Sequence, residues 1–432
     1  MQALLSFENA PPFAAPLRFF LTAPLFLVLA GLLVAGVGPD IFASRWLPAT
    51  LAAVHLVTIG FMLQVMLGAL IQILPVVAGA NLTRPLRVAT VLHLGLSLGA
   101  LLLAAGFVFS RPALLGLAAA LLGLSTLYFL FATARALRGV SSTSPTIRGL
   151  KLALLGLAGV IGLGMLLALA MGHGWSLPLA ALTDLHAGWG LGGWGGVLLA
   201  AMAYVVVPMF QLTPGYPARP SWWFPVIVAG ALVLWSLAVL ADWPVIVRFC
   251  QGLLALAGIA FTGLTLRLQA QRRRARPDAT YRYWQLGLSA SIAALSMLAA
   301  AAIFPTAGDL PGWTLAFGIL LVVGGFLPFI IGMLYKIVPF LAWLHLQNCG
   351  EAKVPAPPMN KILGDQDMQR QLRAHAAALG LLLGAIFWPE GLARPAGLAL
   401  AFAGAWLAWN LFAATRRYRQ HRVAILEKLA TP

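Results

Sequence analysis

The sequence predicts an all-α, polytopic membrane protein with about twelve transmembrane helices. The chain of 432 residues is 61% hydrophobic and only 9% charged, whereas soluble domains carry about 25% charged residues. Its apolar residues form continuous runs of about twenty or more, which is the length a helix needs to cross a bilayer. A membrane β-barrel would instead show alternating segments of about ten residues.

The apolar runs place the predicted spans in order along one membrane domain, 1–432, because no loop between them is long enough to fold alone. The second, sixth and tenth spans are unusually long. The predicted spans are 17–37, 48–78, 88–109, 113–133, 150–171, 183–212, 222–241, 245–268, 283–304, 313–346, 374–389 and 395–415.

The three long spans end alike, which predicts an internal repeat. Each contains a proline near its end, namely Pro75, Pro208 and Pro339. The two intervals between these prolines are nearly equal, and each is close to one third of the chain. An odd number of repeats disfavours the usual two-repeat plan of transporters. The sequence therefore predicts three pseudo-repeats of four helices, at about 17–133, 150–268 and 283–415.

The positive charges predict the orientation. With the N-terminus inside, 23 of the 28 Lys and Arg residues lie in cytoplasmic segments and four lie outside: Arg45, Arg111, Arg248 and Arg394. Since positive residues accumulate in cytoplasmic loops, both termini are predicted to be cytoplasmic. The net charge of +17 then reflects topology, with a minor role in holding anionic lipid. The predicted partner is the lipid bilayer, and no nucleic acid is expected.

Ionisable side chains within spans are costly and mark functional candidates. No Asp or Glu lies deep in a predicted span, which disfavours an ion-coupled carrier that needs a buried carboxylate. His55 in the second span and His186 at the start of the sixth lie at similar depth near the outer side. Neutral imidazole is a common ligand of haem iron and copper. The two histidines are candidate metal or haem ligands, or each bonds a backbone carbonyl.

Two methionines and a glycine-rich run lie near these histidines. Met62 and Met66 follow His55 on the same helix face, where thioethers suit Cu(I) or fill ordinary packing space. Gly192 lies in a run whose bare surface suits a flat macrocycle. With Gly188 and Gly196 it also forms a ridge for close helix packing.

Arg248 lies near the outer end of the eighth predicted span. Its guanidinium either reaches the lipid headgroups or pairs with a haem propionate. It therefore joins the candidate cofactor-binding residues.

The second span resembles the NnrS family of haem- and copper-containing membrane proteins linked to nitric oxide stress. His186, followed by Ala187, resembles that family's later histidine-containing span. The twelve spans and threefold pattern are also similar to subunit I of the haem-copper oxidases. The residues of the second span that carry the resemblance are His55, Gly60, Phe61, Gly68, Pro75 and Gly79.

The resemblance implies a cofactor, a location and a role. The cofactor is haem b or copper, and the location is the bacterial cytoplasmic membrane. The implied role is electron transfer, nitric oxide response or metal handling, with a quinol or a cytochrome as partner.

This sequence departs from both families at the metal ligands. The His-x-His-Glu-Met opening of the NnrS family is replaced here by a run with one histidine, residues 53–57. The predicted seventh span has no histidine pair, and Trp313, Thr314 and Phe317 fill the outer half of the tenth. A binuclear oxygen- or NO-reducing centre is therefore not expected, and no catalytic residue is assigned.

The spacing of the two histidines leaves a shared metal open. His186 lies two residues farther from Pro208 than His55 lies from Pro75. Two residues turn an α-helix by about 200°, so a shared metal requires a local bulge among the glycines. Two other functions remain open: a permease with a midplane cavity beside helix-breaking prolines, and a cofactor-free subunit for assembly of a respiratory complex.

Overall fold

Long helices joined by short loops make up almost all of the chain in the computed structural model, which describes residues 8, 10–273, 276–351 and 353–430. No described residue lies in a β-strand. The twelve long helices are α1 (Ala14–Val37), α2 (Pro48–Ala78), α3 (Pro85–Val108), α4 (Pro112–Ala136), α5 (Pro145–His173), α6 (Leu179–Gln211), α7 (Ala218–Leu240), α8 (Pro244–Ala270), α9 (Ala279–Ile303), α10 (Trp313–Cys349), α11 (Asp365–Phe387) and α12 (Pro389–Ala430).

Eleven of these helices are long and apolar enough to cross a membrane, which confirms a polytopic membrane protein. The exception among these twelve helices is α11, which begins with Asp365 and Asp367 and includes most of the segment predicted as the eleventh span. Several helices begin before their apolar run because proline, preorganised for the first helical turn, starts α2, α3, α4, α5, α8 and α12.

The first and last long helices pack closely along each other. A Cβ added at Gly31 of α1 would lie 2.3 Å from the backbone nitrogen of Ala401 in α12, and a Cβ added at Gly397 would lie 2.3 Å from the backbone nitrogen of Ala35. Glycine allows this approach because it has no side chain. Close contact matters here because lipid provides no hydrophobic force between helices, so van der Waals packing holds them together.

The three long spans share a feature that the sequence did not predict. Each contains a π-helical segment: Leu56–Leu63 in α2, Gly188–Gly196 in α6 and Ile319–Phe326 in α10. The segments recur at nearly equal intervals along the chain. Their i→i+5 hydrogen bonds put an extra residue into each turn, and such segments frequently occur at functional sites.

His375 of α11 supports the π segment of α10. This histidine lies at the start of the segment predicted as the eleventh span, and its side chain is buried, with 1% exposed. Its Nε2–H donates to the carbonyl of Val323, 2.9 Å away, within the π segment. A buried carbonyl without a donor would be costly, so His375 stabilises the local backbone.

His375→Ala should lower the free energy of unfolding by about 1–3 kcal/mol, because it leaves the carbonyl of Val323 without its donor. Unfolding by SDS in mixed micelles measures the change. His173→Ala is the control, since His173 is exposed and bonds only to Leu169 of its own helix. Equal stability of the two variants would contradict this role.

Lys336 of α10 pairs with Asp278, the residue that caps the N-terminus of α9. The Lys336 Nζ lies 2.7 Å from Asp278 Oδ2. Burial alone would raise the pKa of the Asp278 carboxyl. The ammonium of Lys336 and hydrogen bonds from the Tyr281 N–H and the Thr280 hydroxyl outweigh burial and hold that pKa below its usual value.

This pair gives a pH dependence of stability with a defined sign. Because the folded-state pKa of Asp278 is lowered, its stabilising effect is complete above the usual carboxyl pKa, about 4, and is lost as pH falls through the lowered pKa. Asp278→Asn should therefore be less stable than the wild type at pH 7, and the difference should shrink below about pH 4. Melting temperatures of the two proteins, compared across this pH range, measure the convergence.

Candidate functional site

The structure brings His55 and His186 together. Their ring centres are 6.4 Å apart and their planes differ by 26°. His55 ends the α-helical part of α2 directly before its π segment, and His186 lies two residues before the π segment of α6. A π segment is present among the glycines of α6 and another in α2, and the two rings lie close together although the histidines are not at equivalent repeat positions.

Both imidazoles are held by backbone carbonyls through the same ring nitrogen. His55 Nδ1 lies 2.7 Å from the carbonyl oxygen of Leu51, and His186 Nδ1 lies 3.1 Å from that of Val160. A carbonyl oxygen can only accept, so each Nδ1 carries the proton and each Nε2 keeps a free lone pair. This is the arrangement of metal-binding histidines, whose second nitrogen is oriented by a carbonyl or carboxylate.

The separation of the rings fits one metal ion between them. With metal–nitrogen bonds of about 2 Å and ring centres about 1.1 Å beyond each nitrogen, two imidazoles on one metal have ring centres roughly 6.2 Å apart. The observed distance is 6.4 Å. Each histidine also bonds a backbone carbonyl, which is the other role that the sequence left open for it.

Neighbouring residues restrict how the rings can move. The Phe107 ring centre lies 5.4 Å from that of His55. Gly164 lies beside the other ring, where an added Cβ would be 3.0 Å from His186 Cε1.

A cavity of about 1060 Å³ adjoins the histidines and is lined mostly by apolar side chains. His55, His186, Met62, Met66 and Gly192 all line it. All three π segments contribute to its wall. The structure thus places five of the predicted site residues on one cavity.

Arg248 is the predicted site residue that the structure does not bring to the cavity; it lies on α8 and is not among the lining residues. The cation that the structure does place there is Arg45. Arg45 lines the cavity and its Nη1 lies 2.6 Å from Asp184 Oδ1. This ion pair connects the segments carrying the two histidines. The sequence feature that could have indicated this ion pair is Asp184, an acidic residue at a span boundary two residues before His186.

The glycines of α6 pack differently from the ridge that α-helical spacing predicted. A Cβ added at Gly188 would lie 2.5 Å from Trp235 Cζ3, and one at Gly193 would lie 2.9 Å from Leu232 Cδ1. Both neighbours belong to α7. The packed glycines are thus five residues apart, the spacing of the i→i+5 hydrogen bonds of a π segment. Gly192 has open space, with its nearest neighbour at 3.9 Å.

One buried polar atom on this cavity has no partner. Trp194 lines the cavity and is only 5% exposed, yet its indole Nε1–H makes no hydrogen bond with the described part of the chain. Buried donors are normally satisfied. Nothing in the sequence singled out this residue beyond its place in the glycine-rich run.

A larger metal cluster is not present among the described residues, where no three His, Cys, Asp or Glu side chains come together. The donor set that remains suits a haem held by two imidazoles.

Comparison with known proteins leaves the site to be interpreted from its own geometry. No family model matches the chain, and no curated protein matches it in sequence.

Proposed function

We propose that this protein binds haem b between His55 and His186 and acts as an electron-transfer protein of the membrane. One observation carries the proposal: two imidazoles face each other at a ring-centre distance of 6.4 Å, and a backbone carbonyl fixes the Nδ1 of each. Neutral imidazoles with free Nε2 lone pairs are strong ligands for haem iron.

The other parts of the cavity suit a large, flat, mostly apolar cofactor. Gly192 leaves a bare wall in α6. Arg45, instead of the predicted Arg248, is the cation on the cavity wall that would hold a propionate. His55 and His186 would hold this haem, which would supply one-electron transfer.

We also propose that the protein consists of three repeats of four helices. The π segments begin at Leu56, Gly188 and Ile319, so they recur at nearly the same interval as the three span-ending prolines. The positive charges support cytoplasmic termini in a bacterial cytoplasmic membrane. In that orientation the ion pair of Arg45 and Asp184 lies near the outer surface. The repeats and the paired histidines support a distant relationship to the NnrS and haem-copper oxidase architecture.

Copper is a second candidate, because Met62 and Met66 line the same cavity as the histidines. Thioether and imidazole ligands together suit Cu(I). The paired orientation of the two rings favours haem, and metal analysis separates the two cofactors.

Protein purified from haem-replete cells provides the test. Oxidised and dithionite-reduced absorption spectra are recorded, with iron and copper measured on the same sample. The expected result is a sharp α-band on reduction and about one iron per chain. Copper without a haem spectrum would favour the second candidate. Protein with neither metal would exclude both and leave the permease and assembly-subunit functions.

A further inference from the structure

A basic and aromatic cluster lies where α5 and α7 begin, at the end of the bundle opposite the paired histidines. Arg148 lies in the first turn of α5, and Trp222 and Trp223 lie near the start of α7. Arg148 Cζ lies 4.5 Å from the ring centre of Trp222 and 5.5 Å from that of Trp223. None of these three residues lines the cavity, so the cluster is separate from the proposed haem site.

The Arg148 guanidinium has donors that the described part of the chain does not use. Contact with an aromatic face engages the positive charge of a guanidinium, but its five N–H groups still require acceptors. Within the described ranges, the Arg148 side chain forms no ion pair and donates to no oxygen. The planar fork of an arginine matches the oxygens of a phosphate. The two indoles therefore contact a guanidinium that suits a phosphate ligand.

A second guanidinium lies on the same face of α7 as the indoles. Arg219 precedes Trp222 by three residues and Trp223 by four, and residues at these spacings are neighbours on a helix surface. Arg219 is exposed and forms no ion pair in the part of the chain that the structure describes. Two arginines of different helices are therefore associated with one pair of indoles.

The neighbouring helices supply no carboxylate to neutralise this cluster. Asp184 is the single acidic residue between positions 41 and 241, and it pairs with Arg45 at the other end of the bundle. Asp278, which lies at the same end as the cluster, pairs with Lys336. The two arginines therefore attract an anion from outside the chain.

Exposed apolar side chains continue from the cluster toward the middle of the spans. Leu155 lies seven residues after Arg148 on α5 and is 64% exposed, whereas Ile227 lies four residues after Trp223 on α7 and is 42% exposed. These spacings keep each residue on the same helix face as its partner in the cluster. α5 and α7 pack against each other, and both are apolar enough to cross a membrane. A ligand with a phosphate and apolar chains would contact both parts, whereas free phosphate would contact only the arginines.

We propose that this cluster is a binding site for one anionic phospholipid, whose phosphate accepts hydrogen bonds from Arg148 and Arg219. Trp222 and Trp223 lie at the level of the headgroups, where tryptophan is enriched in membrane proteins. The acyl chains lie along the apolar faces of α5 and α7. In the proposed orientation, the lipid belongs to the cytoplasmic leaflet. Its binding does not depend on haem.

Native mass spectrometry of the full chain, released from nanodiscs with equal amounts of phosphatidylcholine and phosphatidylglycerol, tests the proposal. We expect the wild type to retain phosphatidylglycerol in preference to phosphatidylcholine. Arg148→Gln and Arg219→Gln should each lower the retained phosphatidylglycerol about fivefold, the effect of removing one basic residue near an anionic surface. Arg148→Lys should also lower it, because an ammonium keeps the charge but lacks the planar fork.

Arg87→Gln is the matched control, because Arg87 is exposed near the start of α3, at the same end of the bundle, and contacts no aromatic ring in the described chain. It should retain phosphatidylglycerol like the wild type. Equal losses in Arg87→Gln and Arg148→Gln would show diffuse attraction by charge and overturn the site. Wild-type retention by both Arg148→Gln and Arg219→Gln, at matching melting temperatures, would also overturn it. Complete displacement of the lipid by inorganic phosphate would instead assign the arginines to a soluble ligand.

Discussion

His55→Ala or His186→Ala should remove the haem spectrum of the purified protein. Each substitution removes one of the two imidazoles that would hold the haem. The remaining histidine has no substitute nearby, since no third His, Cys, Asp or Glu joins the pair among the described residues. We expect haem content to fall by at least about tenfold, a loss of about 1.4 kcal/mol or more in binding, measured by the pyridine haemochrome assay.

His173→Ala provides the control for this loss. His173 lies on α5 and bonds to Leu169 of its own helix, and it does not line the cavity. Its haem content should equal that of the wild type. A double variant without His55 and His186 that keeps a six-coordinate, low-spin spectrum would exclude the pair as ligands. Loss of haem with a large fall in melting temperature would instead indicate unfolding.

The fold was largely predictable from the apolar runs, because a helix is the structure that satisfies the backbone of a single segment in lipid. Hydropathy located the helices but placed several starting points late. The α5 helix starts at Pro145, five residues before its predicted span, because Ser144 accepts a hydrogen bond from the Ile147 N–H and caps the helix. A capping hydrogen bond of this kind depends on a few neighbouring residues, and a hydropathy pattern does not detect it.

The candidate site was predictable in composition but not in geometry. His55 and His186 were identified because ionisable groups in spans are rare. The arrangement of their rings depends on the π segments, and a π segment cannot be recognised from the pattern of apolar residues in the sequence. An α-helical interpretation of α6 therefore predicted a packing ridge through Gly192, whereas the structure packs Gly193.

Residues that act through long-range contacts were the hardest to predict. His375 lies at the start of the segment predicted as the eleventh span. Its buried bond to Val323 joins positions 52 residues apart. The cavity role of Arg45 likewise depends on an ion pair with Asp184 across 139 residues. Neither partner is indicated by local spacing.

Gly156→Leu is expected to be among the most destabilising single substitutions in the chain. A Cβ added at Gly156 of α5 would lie 2.4 Å from the backbone carbon and oxygen of Gly193. A clash with backbone cannot be relieved by a rotamer change, so α5 must move away from the π segment of α6. Overpacking typically costs about 1–3 kcal/mol, and we expect at least the upper value, measured by SDS unfolding in mixed micelles.

Gly162→Leu is the matched control on the same helix. Gly162 is exposed, and an added Cβ there would have no neighbour within 4 Å, so the leucine should face lipid without cost.

The movement of α5 caused by Gly156→Leu has a second effect, at the histidine site. Val160, which accepts from His186 Nδ1, lies one turn from Gly156, so moving α5 releases the ring. Gly156→Leu should lose haem as well as stability, and equal behaviour of the two variants would show that this contact does not hold the site together.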